Sequence, residues 1–202
     1  MKRILSILAL AAACTLSAQA QSGLGSILGN VLGNVAGTVY SAPVTLDGSY
    51  QYAGSAVSVT SSEGGVLTNL AGTAVTSGIE TKVDEYLAKV GIKPGAMSFT
   101  FNSADNTFTL NVAGLALPGT YQVSSAEKVV KLTFGKSLQF FSMTGVLEST
   151  SKGAKMLFTA DKTVAFLKKL ANKLGQSSSQ IAGIAKLADG YDSYRIGFKL
   201  TK

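Results

Sequence analysis

The stretch AMSFTFNSADNTFTLNV, residues 96–112, constrains the fold more than any other part of the chain. Met97, Phe99 and Phe101 share one parity, Ser103-Ala104-Asp105-Asn106 turns the chain, and Phe108, Leu110 and Val112 share a parity again. Apolar residues at every second position, broken by turn formers, mark an antiparallel hairpin with one buried face. The same period then recurs down the chain. LPGTYQVSS (117–125) predicts a turn at Pro118-Gly119 with Tyr121 and Val123 inward. EKVVKLTFG (127–135) alternates Val130, Leu132 and Phe134. KSLQFFSMTGVLEST (136–150) alternates Leu138 with Phe140 and then shifts parity at Phe140-Phe141, which predicts a bulge. AKMLFTA puts Ala154, Met156 and Phe158 in phase. At the two extremes, VTLDGSYQY (44–52) places Val44, Leu46, Tyr50 and Tyr52 on one parity, and DSYRIGFKL (192–200) does so with Tyr194, Ile196, Phe198 and Leu200.

Three regions follow a helical period instead. Ile79, Val83, Tyr86, Leu87 and Val90 form one face, with Glu80, Lys82, Asp84, Glu85 and Lys89 on the solvated side and Gly91 and Pro94 as the stop. Val66, Leu67 and Leu70 predict a shorter helix just before it. Val164, Leu167, Leu170 and Leu174 form a second stripe, capped by Asp161 and closed by Gly175. Ile181, Ile184, Ala185 and Ala188 form a third, capped within Ser177–Ser179 and ended at Gly190.

About eight strands in consecutive hairpins, with helices after strand one and before the last, predict a mostly β chain that closes into an antiparallel barrel. An open sheet of this kind would leave adhesive edges. Eight strands enclose either packed side chains or one small ligand. The predicted inward stripe is Phe99, Phe101, Phe108, Tyr121, Phe134, Phe140, Met156, Phe158 and Phe198. It suits a solid core and a cavity for a lipid, sterol or aromatic metabolite equally well, because both need the same residues.

The chemistry available is narrow. The sequence has no His and one Cys, so His-dependent triads and His-based metal sites are excluded. Acids are placed in turns (Asp47, Asp105) and on the solvated helix face (Glu80, Asp84, Glu85), which argues against a hydrolytic pair. Asp161-Lys162-Thr163 begins like an aspartyl-phosphate motif, but Val164 stands where glycine is needed, and Asp161 reads as a cap. No phosphate loop, dinucleotide fingerprint or calcium loop is present. The reading is a non-enzyme with no cofactor and no metal.

The chain opens with a basic pair, Lys2-Arg3, an apolar run from Ile4 to Ala13, and the small-x-small signal Ala18-Gln19-Ala20. Residues 1–20 therefore read as an export signal, a soluble one in preference to a lipid anchor at Cys14, and the expected location is a periplasm or cell surface. Its removal takes the only Cys and lowers the net charge from +7 to +5. Scattered lysines and a single later arginine, Arg195, argue against nucleic acid as a partner. Residues 21–42 carry no charge, and Gly25, Gly29, Gly33 and Gly37 recur every four positions. Leu24 to Val39 is too short to span a bilayer, and its glycines weaken a helix. It is expected to order only against an apolar surface: the barrel, a second copy or a membrane. Residues 43–202 form the barrel domain.

GSYQY (48–52), IETKVDEYLAKVGIKPG (79–95), FTFNSADNTFTL (99–110), PGTYQV (118–123), MLFTADK (156–162) and YRIGFKL together resemble a lipocalin-like family of secreted, uncharacterised proteins from Gram-negative gut bacteria. The resemblance covers residues 44–202. It implies a barrel without enzymatic activity and carries over no particular ligand. It also implies a barrel-end closure, in which Gly48-Ser49-Tyr50 stands in the place of Gly-x-Trp and Arg195 covers the Tyr50 ring by a cation–π contact. The helices before the last strand depart from the lipocalin pattern. The function expected on these grounds is binding of a small apolar ligand in the barrel, the alternative being an envelope-interaction module with a filled core.

Overall fold

The computed structural model describes residues 45–61, 65–66, 70–177, 179–187 and 193–202. Backbone contacts divide the chain into two units, Met1–Val35 and Ala36–Lys202, and every described residue belongs to the second. The expectations for the export signal, for Cys14 and for the glycine ladder concern residues outside the described set, as do those placed on Val44, Leu67, Ala188 and Gly190.

The strands are β1 (Gly48–Ser61), β2 (Gly65–Val66), β3 (Met97–Asn102), β4 (Thr107–Val112), β5 (Leu115–Ser124), β6 (Val129–Phe134), β7 (Ser142–Thr150), β8 (Gly153–Thr159) and β9 (Ser193–Thr201). The helices are α1 (Leu70–Lys89), α2 (Ala160–Lys173) and α3 (Ser179–Leu187). Strand order is β2-β1-β3-β4-β5-β6-β7-β8-β9, and β1 also pairs with β9. Eight antiparallel strands thus close a barrel, while β2 only extends one end of β1 through Thr60↔Val66 and Ser61↔Gly65. Of the residues expected to form a separate short helix, Val66 instead pairs in β2 and Leu70 starts α1.

The barrel has two unlike ends. α1 follows the β1–β2 pair, and α2 and α3 follow β8 in turn, at one end, here called the helical end. The β3–β4 and β7–β8 hairpins mark the other, the turn end. α1 stops as its sequence predicts. Gly91 takes φ +84°, its N–H bonds to Ala88 O, and the Ile92 N–H reaches Leu87 O at 2.9 Å, a Schellman closure with Leu87 and Ile92 both buried.

One turn falls elsewhere than the sequence predicts, and one predicted irregularity takes a different form. Pro118 and Gly119 lie inside β5, opposite Thr109 and Phe108, and the chain turns instead at Ala113-Gly114, both at positive φ. Gly119 is needed for packing, since a Cβ there would sit 2.7 Å from the Phe108 ring and 2.4 Å from Thr133 O. The predicted bulge at Phe140-Phe141 is a sharper device. A 3₁₀ turn at Lys136–Leu138 leads into Gln139 (φ 58°) and Phe140 (φ 54°), both left-handed, and β7 begins only at Ser142.

Helix α2 starts at Ala160 with Thr159 at the cap position, so Asp161 sits within the first turn and does not cap it. There its charge still favours the helix N-terminus. Ser177 does meet α3 as expected, its Oγ accepting the Ser179 N–H at 3.3 Å.

Candidate functional site

The barrel interior is aromatic, and its rings touch in a closed circuit. Phe108 meets Phe134 with centroids 5.1 Å apart, and Phe134 stacks on Phe166 at 5.0 Å. Phe166 meets Phe198 at 6.1 Å, Phe198 meets Phe99 at 5.9 Å, and Phe99 returns to Phe108 at 6.2 Å. Four of these rings come from strands. Phe166 comes from α2 and reaches across the lumen from the helical end, fully buried. The sequence reading passed over Phe166 because it lies off the stripe of Val164, Leu167, Leu170 and Leu174. The missed signal is a buried face wider than one stripe, which also includes Thr163 and Ala171. Thr163 is held there by donating to Ile196 O at 2.9 Å.

Of the predicted inward residues, Phe99, Phe101, Phe108, Tyr121, Phe134, Met156, Phe158 and Phe198 are buried in this core. Phe140 is not. It is 69% exposed, because the left-handed turn swings it outward and gives the inward place to Phe141, which packs on Phe166.

The turn end is closed by Tyr50, with a different cation from the one expected. Arg195 is opposite Ser58 on β1 and Thr159 on β8, towards the helical end, whereas Tyr50 is opposite Phe99 near the turn end. The two are too far apart to stack. Arg195 is itself 8% exposed, with its guanidinium pKa pushed down by burial and supported by the charge of Glu148. The cation over Tyr50 is Lys202, its Nζ 5.6 Å from the ring centroid, and its backbone N–H is pinned to Lys152 O at 2.9 Å. Gly48 (φ +81°) takes a left-handed conformation beside this contact, where a Cβ would lie 3.7 Å from Lys202 Cε. The sequence reading missed Lys202 because the cation comes from beyond the last alternating residue, Leu200.

Around this closure is an open cleft of about 540 Å³. Tyr50 floors it. The β7–β8 hairpin, from Ser149 to Gly153, forms one wall, and Thr45, Thr201 and Lys202 form the other. The lining is two lysines, one buried ring and a row of hydroxyls. Beneath it, Tyr50 meets Phe101 edge-on at 5.8 Å, and Phe101 meets Tyr121 at 5.0 Å. The Tyr121 hydroxyl donates to Leu46 O at 2.6 Å, which fixes the segment leading into β1, and burial raises the Tyr121 pKa. Asp47, next along, accepts the Ser103 N–H at 3.0 Å, and that bond lowers its pKa.

The carboxylates of α1 lie elsewhere and face the sheet. The β1 ladder to β3 runs only from Gly48 to Gln51, and a bulge at Tyr52/Gly54 leaves the next stretch of β1 without a strand on that side. Helix α1 fills the gap. Asp84 Oδ1 accepts the Ser55 N–H at 2.8 Å and the Tyr52 hydroxyl at 2.9 Å, while Glu80 Oε1 accepts the Val57 N–H at 3.1 Å and Glu80 Oε2 takes Lys199 Nζ. The solvated role predicted for Glu80 and Asp84 is therefore corrected: these acids stand in for the missing strand. Burial, and then Asp84, raises the Tyr52 phenol far above its ordinary pKa. Both oxygens of Glu80 and Oδ1 of Asp84 are engaged with backbone and side-chain donors, which suits a clamp. Among the described residues no cluster of three or more His, Cys, Asp or Glu is placed to hold a metal, and no helix is long and apolar enough to cross a membrane.

An eight-stranded antiparallel barrel with an aromatic interior, one end under helices and the other open to a cleft, is a lipocalin-like barrel, a class generally of binding folds. The chain belongs to the family described as lipocalin-like domain (DUF4923), which matches residues 24–202. The match begins within the glycine ladder. No curated protein sequence matches the chain. Among solved structures it is similar to a DUF4847 family protein from Bacteroides vulgatus ATCC 8482, at 12% identity and a TM-score of 0.30, over 75% of this chain and 92% of that one. At that score the likeness bears on neither mechanism nor ligand.

Proposed function

We propose that the protein is an exported, non-enzymatic binding protein for a small amphiphile carrying a carboxylate or other anionic end. The observation that carries this is the cleft of about 540 Å³ at the turn end, a usual size for a small-molecule site. Lys152 and Lys202 supply positive charge there, and the neighbouring hydroxyls supply donors for anion oxygens. Tyr50 offers a flat apolar floor, and Phe99, Phe101, Phe108 and Tyr121 continue the apolar path beneath it. The ligand's charged end lies between the lysines and its apolar part lies on Tyr50, toward the barrel. Residues 24–39 serve as a second apolar contact, with a membrane surface or another copy. Nucleic acid and cofactors play no part.

The closed circuit of rings through Phe166 favours a second reading, in which the lumen is solid and the barrel is an envelope-interaction module without a ligand. One experiment separates the two. The purified protein is extracted for mass spectrometry and screened by thermal shift against fatty acids, acidic sterols and their neutral counterparts. The binding reading expects stabilisation by the acidic compounds, weakened at least tenfold in apparent affinity by Lys152→Ala/Lys202→Ala. No extracted ligand and no shift with any compound would leave the solid module as the correct reading.

A further inference from the structure

The helical end carries a second feature that the cleft does not use. Lys136, Ser137, Leu138 and Gln139 form one wall of a surface depression of about 450 Å³, and Lys169, Asn172 and Lys173 of α2 form the other. Lys169 Nζ donates to Gln139 Oε1 at 2.8 Å, which ties the turn to the helix. On α2, Lys162, Lys169 and Lys173 are spaced seven and four apart, so they follow one outward stripe. None of Lys136, Lys162, Lys169 and Lys173 is in an ion pair among the described residues.

Beside this basic depression stands Phe140. It is the only large apolar side chain exposed among the described residues, at 69%. Holding it there takes two successive left-handed residues, Gln139 (φ 58°) and Phe140 (φ 54°). For a bulky residue that conformation is strained, and backbone outliers of this kind concentrate at functional sites. The turn therefore spends conformational strain to place an aromatic ring in water beside a depression lined by three cations, Lys136, Lys169 and Lys173. A small anion would explain the lysines but not the ring, and an apolar partner would explain the ring but not the lysines. An anionic bilayer explains both, since headgroups take the lysines and the ring enters the interface.

We infer that the helical end is a membrane-docking face, in which Phe140 inserts at the interface of an anionic bilayer while Lys136, Lys162, Lys169 and Lys173 contact its headgroups. Docking by this face leaves the turn-end cleft, at the opposite end of the barrel, directed away from the membrane.

The sequence contains no Trp, so a single indole reports on one place. Phe140→Trp in the full-length chain is mixed with phosphatidylcholine vesicles, with and without phosphatidylglycerol. Ala104→Trp, in the exposed β3–β4 turn, is the control at the opposite end. The expected result is a blue shift of the F140W emission on the anionic vesicles alone, quenching by brominated acyl chains, and reversal by salt. The A104W emission stays unchanged. In the F140W background, Lys136→Glu/Lys173→Glu lowers partitioning about tenfold or more, at roughly 1 kcal/mol per basic residue. Circular dichroism checks that each variant is folded. Sedimentation of the protein with vesicles while the F140W emission stays unshifted would place the contact elsewhere and overturn the inference. A shift of equal size on neutral vesicles would overturn its electrostatic part.

Discussion

Tyr52 shows how a single side chain can tie stability to pH in this barrel. Its hydroxyl donates to Asp84, and burial together with that carboxylate raises its pKa. A raised phenol favours the protonated form in the folded state. Its contribution is therefore complete below the unfolded value of about 10 and is lost as pH climbs beyond that value toward the folded one. Tyr121, raised by burial, acts in the same direction. Stability measured by urea denaturation should fall above about pH 10. Tyr52→Phe should cost about 1.5–3 kcal/mol at neutral pH, the usual range for a hydrogen bond to a charged group, and should flatten part of the alkaline decline. An unchanged alkaline profile in that variant would assign the decline to other groups. A second residue-scale constraint is steric. A Cβ on Gly197 of β9 would lie 1.6 Å from Met156 O, a backbone atom of the neighbouring strand that has no room to retreat. Gly197→Ala should destabilise the fold by about 3 kcal/mol or more, at the upper end of overpacking costs. A thermal midpoint within a few degrees of the parent would show that β8 and β9 can separate there.

At the scale of elements, what was legible in the sequence depended on whether an element's partner is local. β3 with β4, β5 with β6, and β7 with β8 are near neighbours in the chain, so their pairing could be read. The buried residues of β3, β4 and β6 alternate as the sequence predicted, whereas β7 and β8 each bury three residues in a row. β1 could be read only in its first part. After the bulge at Tyr52/Gly54 its residues are small, its phase shifts, and its partners are β9 and a helix. The carboxylates of α1 were misread for the same reason. From the helix alone, Glu80 and Asp84 belong to a polar face, and nothing local shows that this face meets an unpaired strand edge. Asp84→Ala should leave both the Ser55 N–H and the Tyr52 hydroxyl without their acceptor. The expected loss is about 3 kcal/mol at roughly 1–3 kcal/mol per orphaned group, while Asp84→Asn, which keeps an acceptor oxygen, should lose less than half of that. Equal stability of the alanine and asparagine variants by chemical denaturation would mean that the edge is satisfied without this acceptor.

The whole molecule is governed by how the lumen is divided. The sequence offered an aromatic stripe but not its occupancy, because a lining ring and a filling ring have the same pattern. The deciding residue is Phe166, which arrives from a helix and joins rings on β6 and β9 that have no direct contact with each other in the sheet order. With that ring in place the aromatic side chains touch across the lumen, and the cleft around Tyr50 and Lys202 lies at the turn end. Truncating the ring should therefore open a cavity among these side chains. Phe166→Ala should cost about 3–5 kcal/mol, the usual range for removing a buried phenyl group, and should gain affinity for benzene or indole, since apolar cavities of that kind stay dry and take up such molecules. In a thermal-shift titration the variant should be stabilised by these probes and the parent should not. The amphiphile binding proposed for the turn-end cleft should be retained in the variant, because Lys152, Tyr50 and Lys202 belong to the other end. Equal stabilisation of parent and variant by the small aromatic probes would mean that the parent lumen already has room, and that the ligand site extends from the cleft into the barrel.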